Sequence, residues 1–338
     1  MKNKIARAVT YLLSFAICIW LFKLAYSGLD FASVWQYVSG MDLFWVCMVA
    51  LSSFVCQSAR SLRWQLLLKA CGEQISFRRL FLSLMAGYFV HQALPRVGEI
   101  VRCWLVKKSD NVGYGVSIGT VVAERTIDTL CLAILVAGTI LSVNAISYSF
   151  FNAHINLPLR DMAASLPLYT ISVGFLLLAA LLSVCYYYLN RRGYFTATRQ
   201  NFAGKALGFG SNLLTGITAV LKLRQKWAFL LYTLIIWAMY FLMTYLWFFA
   251  LPETSHLGVK EAFFIWAIGS IGRLVPVQGG GAGAYHYLVI QAFLLFGVSA
   301  GVAGAMALVI HGLQTAIYVI AGSISLVWYL LLLKKSKT

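Results

Sequence analysis

The sequence predicts an all-α polytopic membrane protein made of two inverted repeats, each with three spans and a broken re-entrant hairpin. Composition, the placement of positive charge and a Pro/Gly interruption that occurs twice predict it. Of the 338 residues, 61% are hydrophobic and only 11% charged, with a mean hydropathy of +0.81. A soluble domain carries about 25% charged residues to solvate its surface. The composition excludes an ordinary cytosolic enzyme, a disordered chain and a secreted disulfide scaffold, and places the chain in a bilayer.

A spanning helix needs about 20 apolar residues. Clear candidates run over Val9–Tyr26, Leu43–Gln57, Ser117–Ser142, Leu168–Leu189, Trp227–Leu251 and Gly304–Leu333. The first has a basic start, as a signal peptide would, but Lys23 and the lack of a clean Ala-x-Ala site favour a retained anchor. Two further apolar stretches are too short or too broken for a simple span. Leu80–Leu94 is followed by Pro95-Arg96-Val97-Gly98-Glu99 and a return from Ile100 to Val106. Ala262–Val275 is followed by Pro276-Val277-Gln278-Gly279-Gly280-Gly281-Ala282-Gly283 and a return from Tyr285 to Phe296. Pro removes a backbone donor and Gly relaxes the helix, so each stretch is expected to break partway through the membrane. The alternative is two ordinary kinked spans, since Pro and Gly are frequent in membrane helices.

The net charge is +17, from 27 Lys+Arg against 10 Asp+Glu. With the broken stretches re-entrant, one face collects Lys2, Lys4, Arg7, Arg60, Arg63, Lys69, Arg78, Arg79, Lys107, Lys108, the Arg191–Lys226 group and the C-terminal lysines. The opposite face holds Lys23, Arg160 and Lys260. The positive-inside rule then makes the chain a multi-pass inner-membrane protein with both termini cytoplasmic. Basic charge is thereby assigned to loops, and no nucleic-acid partner is expected. Within Asn201–Lys226, apolar Phe202, Phe209, Leu213, Ile217 and Val220 recur near a helical period. They read either as an amphipathic helix on anionic lipid or as a helix packed on the spans.

The order of span, span, half-helix, break, half-helix, span occurs at about 9–142 and again at about 168–333 within a single transmembrane domain, 1–338. Pro95 and Pro276 stand 181 residues apart. Three spans per half invert the second copy, so the two hairpin tips are expected to meet.

Several ionisable groups fall at membrane depth, where each costs about 2.5–3.5 kcal/mol on insertion scales. They are Arg96, Glu99 and Arg102 at the first break, Glu124, Arg125 and Asp128 on the next span, and Arg273 before the second break. Gln278 lies in that break and His286 just after it. Glu124 and Asp128 share a helix face at i,i+4, and Arg125 reaches Asp128 at i+3. One reading is an ion-pair network that only ties helices together. The other is a substrate cavity in which Arg96, Arg102, Arg125 and Arg273, with Gly279 and Gly280 backbone N–H groups, hold an anionic head group. Glu99, Glu124 and Asp128 would orient those arginines or meet a cation. Tyr285, Tyr287 and Gln291 are weaker candidates for the same wall.

The glycine run lacks the Lys-Ser/Thr of a P-loop and no Rossmann strand precedes it, so a nucleotide reading is rejected. His286 and His311 read first as helix-helix hydrogen-bond partners. The five His form no HExxH, and the seven Cys include no CxxC. No metal, cofactor or disulfide framework is expected.

Pro95-x-x-Gly98-Glu99-x-x-Arg102, then Glu124-Arg125-x-x-Asp128, then Pro276-x-x-Gly279-Gly280 with Gly283, resembles the transmembrane domain of lysylphosphatidylglycerol synthetases and its stand-alone, flippase-like relatives. The resemblance covers essentially the whole chain. It implies a domain that moves a phospholipid or lipid-linked head group between leaflets, with a membrane lipid as partner. Two departures qualify it. No aminoacyl-transferase domain follows Leu333, so synthesis of lysyl-lipid is not expected. The acidic residue common near His286 in the family is absent, which points to a different lipid. A transporter and not an enzyme is therefore expected, with a homo-oligomer compatible. A membrane enzyme using Glu124 or Asp128 as acid or base, and a small-solute transporter with the same repeat, are the alternatives.

Overall fold

A computed structural model describes residues 15–94, 97–142, 150, 152–156, 212–275 and 277–335. Among them the structure is helical, without strands. Residues 140–211 form a separate compact unit, of which a π-helical turn, Asn152–Asn156, is described. Pro95, Arg96, Pro276, Arg160 and the expected span Leu168–Leu189 lie outside the described residues, as do 201–211.

Helix α1 is described from Phe15 to Ala25. A short helix, α2 (Phe31–Ser39), follows it. The apolar-run reading did not anticipate α2, which is set by Asp30 accepting the Ala32 and Ser33 N–H groups at 3.1 Å. Helix α3 runs from Leu43 to Ala70, with Asp42 capping it. This corrects the expected span Leu43–Gln57. The helix continues through Arg60 and Arg63, because Leu66, Leu67 and Leu68 resume the apolar pattern and are buried.

Helices α4 (Phe77–Ala93) and α5 (Val97–Asp110) form the first hairpin. A Cβ on Gly98 would lie 2.1 Å from the Gly87 carbonyl oxygen. Only glycine allows the two backbones to approach that closely. Helix α6 (Tyr114–Ser142) is followed, after the second unit, by α7 (Lys226–Trp247). Helices α8 (Val259–Gly272) and α9 (Ala284–Leu295) form the second hairpin. Its tip is a tight turn, with Gly279 and Gly280 both at φ +65° and Gly283 at φ +87°, conformations that favour glycine. Helix α10, Ala300–Lys335, is the longest element.

Among the described residues, three helices, at Leu43–Ala70, Lys226–Ala250 and Ala300–Lys334, are long and apolar enough to cross a membrane. The hairpin arms α4, α5, α8 and α9 measure roughly 25, 21, 21 and 18 Å at about 1.5 Å per residue, each short of the about 30 Å hydrocarbon core. The outward stripe of α10, Ile320, Ile324, Val327 and Leu331, is exposed, as is Ile134 of α6 at 73%. Water does not tolerate apolar surface of this extent, and hydrocarbon does.

Contacts sort the helix ends into two groups. Arg79 at the start of α4 pairs with Asp110 at the end of α5 at 2.5 Å, and Ser109 meets Tyr329 of α10 at 2.6 Å. Ala219 and Leu223 pack on Leu66 and Leu67 of α3. This end carries Lys69, Arg78, Arg79, Lys107, Lys108, Lys222, Arg224 and Lys226. At the other end, Asp42 N–H donates to the Ala250 carbonyl at 3.0 Å, and Gly301 of α10 lies against Tyr37 of α2. That end carries Asp30, Asp42, Glu253 and Glu261 beside Lys23 and Lys260. The first hairpin thus leaves from and returns to the basic end, and the second does so from the other end. In the described part of the expected amphipathic segment, Ala219 and Leu223 are buried while Leu214, Ile217 and Leu221 remain exposed. That part is packed on the spans.

Candidate functional site

The site begins with charge on three helices. Gln57, Arg60 and Arg63 share a face of α3, and Glu124 and Asp128 share a face of α6, by the three- and four-residue spacing of neighbours on a helix. Arg60 Nη2 lies 2.6 Å from Asp128 Oδ2, and Arg63 Nη2 lies 2.8 Å from Asp128 Oδ1. Arg63 Nε also faces Glu124 Oε1 at 3.7 Å. From α5, Arg102 Nη2 donates to Glu124 Oε2 at 2.8 Å and lies over the Trp64 ring at 4.5 Å. Arg125 reaches Asp128 at 3.0 Å and Glu99 at 3.4 Å. Four guanidinium groups therefore face three carboxylates, leaving an excess of positive charge.

Burial divides the network. Arg63 is 0% exposed and Glu124 1%, so these two groups and Arg102 form an inner core. The Arg125 and Glu99 side chains are 38% and 41% exposed. The inner pairs lock α3, α5 and α6 together, because isolating any one of those charges away from water is costly. Arg125 and Glu99 lie at the open edge of the network.

The network opens on a cleft of about 350 Å³, at the lower end of the range of small-molecule sites. Arg60, Arg125, Asp128, Trp237, Tyr240, Trp266, Ser270, Arg273 and Gln314 are in its wall. A second, narrow lobe of about 40 Å³ shares Tyr240, Trp266, Ser270, Arg273 and Gln314, and adds Val49, Met243, Trp247, Ile265, Ile310 and Leu313. One lobe is charged and the other aromatic and aliphatic, with Arg273 at their junction. Among the described residues, no carboxylate lies within ion-pair distance of Arg273. Its guanidinium lies over the Tyr285 ring at 4.5 Å. A smaller pocket between α4, α5 and α6 is lined by Tyr88, His91, Glu99, Arg102 and Arg125. Arg125 thus faces both it and the main cleft.

Polar aromatic side chains support the wall. Arg60 donates to the Tyr88 hydroxyl, and Tyr88 stacks on Tyr318 at 4.6 Å. Gln57 and Gln314 donate to the Tyr318 hydroxyl at 3.1 and 2.9 Å.

Of the residues expected from sequence, Glu99, Arg102, Glu124, Arg125 and Asp128 come together, and Arg125, Asp128 and Arg273 face the cleft. Arg96 lies outside the described residues. Arg102 donates to Glu124 and lines the smaller pocket, not the main cleft. Gln278, Gly279 and Gly280 form the tip of the second hairpin and do not line the cleft. A Cβ on Gly280 would stand 3.9 Å from Gln92 Oε1, so this tip lies against the end of α4. His286 is 3% exposed and its Nδ1 accepts the Gly283 N–H at 3.1 Å. Phe22 covers its ring at 5.2 Å and His311 lies 4.8 Å away, so it braces the tip. Tyr287 and Gln291 line neither lobe, whereas Tyr285 lines the apolar one.

Arg60 and Arg63 are also corrected: both are network members inside α3, not charges on the basic face. An arginine after an apolar run reads as the exit from the membrane, which hid them. The signal was the renewed Leu66-Leu67-Leu68 run and the match between Arg60/Arg63 and Glu124/Asp128. Tyr240, Trp266 and Gln314 carried no sequence signal apart from ordinary core aromatics.

Comparison with known proteins gives the family. A UPF0104 membrane protein of Methanocaldococcus jannaschii is 28% identical over 132 residues, covering 38% of each chain. Another, from Methanothermobacter thermautotrophicus, is 27% identical over 105 residues, covering 30% of this chain and 31% of the relative. The matches thus span about a third of the length of these relatives. No solved structure matches. The model of the lysylphosphatidylglycerol synthase TM region matches residues 11–322, and the chain belongs to that family of membrane proteins.

Proposed function

We propose that this protein moves a phospholipid or lipid-linked head group between the leaflets of the inner membrane, and that it is a transporter and not an enzyme. The observation that carries the reading is the two-lobed cleft. Its charged lobe suits a head group, and the aromatic and aliphatic side chains that line the narrow lobe beside it suit the first methylenes of the acyl chains, an amphiphile's two requirements side by side. The hairpins that leave from opposite ends and touch at Gly280 and Gln92 support an inverted-repeat mechanism, in which each hairpin gates one leaflet. By the positive-inside rule the reading puts the basic end, and with it both termini, in the cytoplasm.

The head group crosses through the polar lobe while its tails stay in hydrocarbon, which avoids the desolvation that blocks spontaneous flip. Transport is favoured over chemistry because Glu124 and Asp128, the carboxylates a lipid-modifying enzyme would use, are engaged by Arg63, Arg102, Arg60 and Arg125. A carboxylate held by guanidinium groups is a poor general base. Reconstitution into vesicles with fluorescent lipids tests the proposal. Flip at least tenfold faster than in empty vesicles is expected. Equal rates across anionic, zwitterionic and cationic head groups, with or without protein, would overturn it.

A further inference from the structure

The charges of the cleft are one-sided. Asp128 is the one carboxylate in its wall among the described residues, and Arg60, Arg63 and Arg125 already hold it. Glu124 is enclosed between Arg63 and Arg102. A cationic head group would find no open carboxylate and three arginines, Arg60, Arg125 and Arg273, facing it. An anion finds the reverse. Arg273 has no carboxylate partner among the described residues and is kept in place by the Tyr285 ring.

Arg125 differs from the other network arginines. It is the exposed one, at 38% against 0–7% for Arg60, Arg63 and Arg102. Its release leaves no buried charge alone, because Asp128 keeps Arg60 and Arg63 at 2.6 and 2.8 Å. Glu99, the other partner, is itself 41% exposed and turns to water. A guanidinium fork offers a phosphate two parallel hydrogen bonds in place of those it gives up.

We propose that the cleft selects anionic phospholipids by their phosphate, with Arg125 and Arg273 as the two residues that read it. Arg273 supplies standing positive charge, and Arg125 exchanges Glu99 and Asp128 for phosphate oxygens. A lipid whose head group adds an amine cation to the phosphate is discriminated against. The proposal rests on the translocation reading for its lipid cargo, but binding tests it separately from flip.

The probe is radiolabelled dioleoylphosphatidylglycerol bound to the detergent-purified full chain. Unlabelled phosphatidylglycerol, its lysyl ester and glycerol 3-phosphate serve as competitors. The lysyl ester is expected to compete at least tenfold less well than phosphatidylglycerol, and glycerol 3-phosphate at least a hundredfold less. Arg125→Gln and Arg273→Gln should each weaken binding at least tenfold, Arg125→Lys should lose part of it, and Arg224→Gln at the basic end should leave it unchanged. Melting midpoints of the variants separate lost binding from lost fold. Equal competition by the lysyl ester, or full binding by both folded glutamine variants, overturns the proposal. Full competition by glycerol 3-phosphate overturns the lipid cargo in favour of a soluble phosphate. Selective binding without flip in vesicles refutes translocation alone, whereas faster flip of the lysyl ester refutes the selectivity alone.

Discussion

Replacing Glu124 by Gln removes the negative charge enclosed between Arg63 and Arg102 and leaves the Arg102 guanidinium buried without a carboxylate, while Arg63 keeps Asp128. Losing one partner of a buried pair costs about 3–5 kcal/mol. Thermal unfolding in detergent should therefore show a large drop for Glu124→Gln. The adjacent Arg125→Gln should lower the melting midpoint little, because that side chain is 38% exposed and exposed pairs are worth at most about 1 kcal/mol. Equal destabilisation by the two substitutions would contradict the division between an inner lock and an available arginine. The i,i+4 spacing of Glu124 and Asp128 and the reach of Arg125 to Asp128 were legible in the sequence, since a helix fixes its own neighbours. Which arginine was locked and which open was not, because Arg60 and Arg63 arrive from α3 and Arg102 from α5. The partner of His286 was not legible either: its Nδ1 is used by its own helix start at Gly283.

At the scale of elements, the two hairpins were legible because Pro and Gly leave signals that hydropathy alone does not. Their pairing depends on backbone contact. Gly98→Ala would drive a Cβ to 2.1 Å from the Gly87 carbonyl oxygen, so α4 and α5 must separate. Overpacking of this kind costs about 1–3 kcal/mol. The expected result is a lowered melting midpoint and loss of the pocket beside Arg125, measured as weakened lipid binding. A variant as stable and as active as the parent would show that the hairpin does not need this approach. The length of α3 and the existence of α2 were hidden for opposite reasons. Arginines interrupt the apolar run of α3 without ending the helix, and α2 is too short and too mixed to read as a span.

Across the whole molecule, the separation of charge between the two groups of helix ends predicts orientation. In a cysteine-free background, Gln74→Cys at the basic end should react with a membrane-impermeant maleimide only after cells are permeabilised. Glu253→Cys at the other end should react in intact cells. The reverse pattern would place the basic end outside and overturn the assignment by the positive-inside rule. Of the six expected spans, Leu168–Leu189 lies outside the described residues, but the charge asymmetry was legible in sequence, because it follows from composition along the chain. The amphipathic character of the cleft was not, since its apolar lobe is lined by Trp247, Ile265 and Ile310, residues that look like any other core positions. The most direct measurement of the central claim is photocrosslinking of the purified full chain with a phospholipid carrying a photoreactive group in its acyl chain, followed by peptide mapping. The two-lobed cleft predicts labelling of inward residues of α8 and α10, around Trp266, Ile310 and Leu313, that Arg273→Gln abolishes. Labelling confined to the outward stripe of Ile320, Ile324 and Leu331, and unchanged by Arg273→Gln, would contradict it.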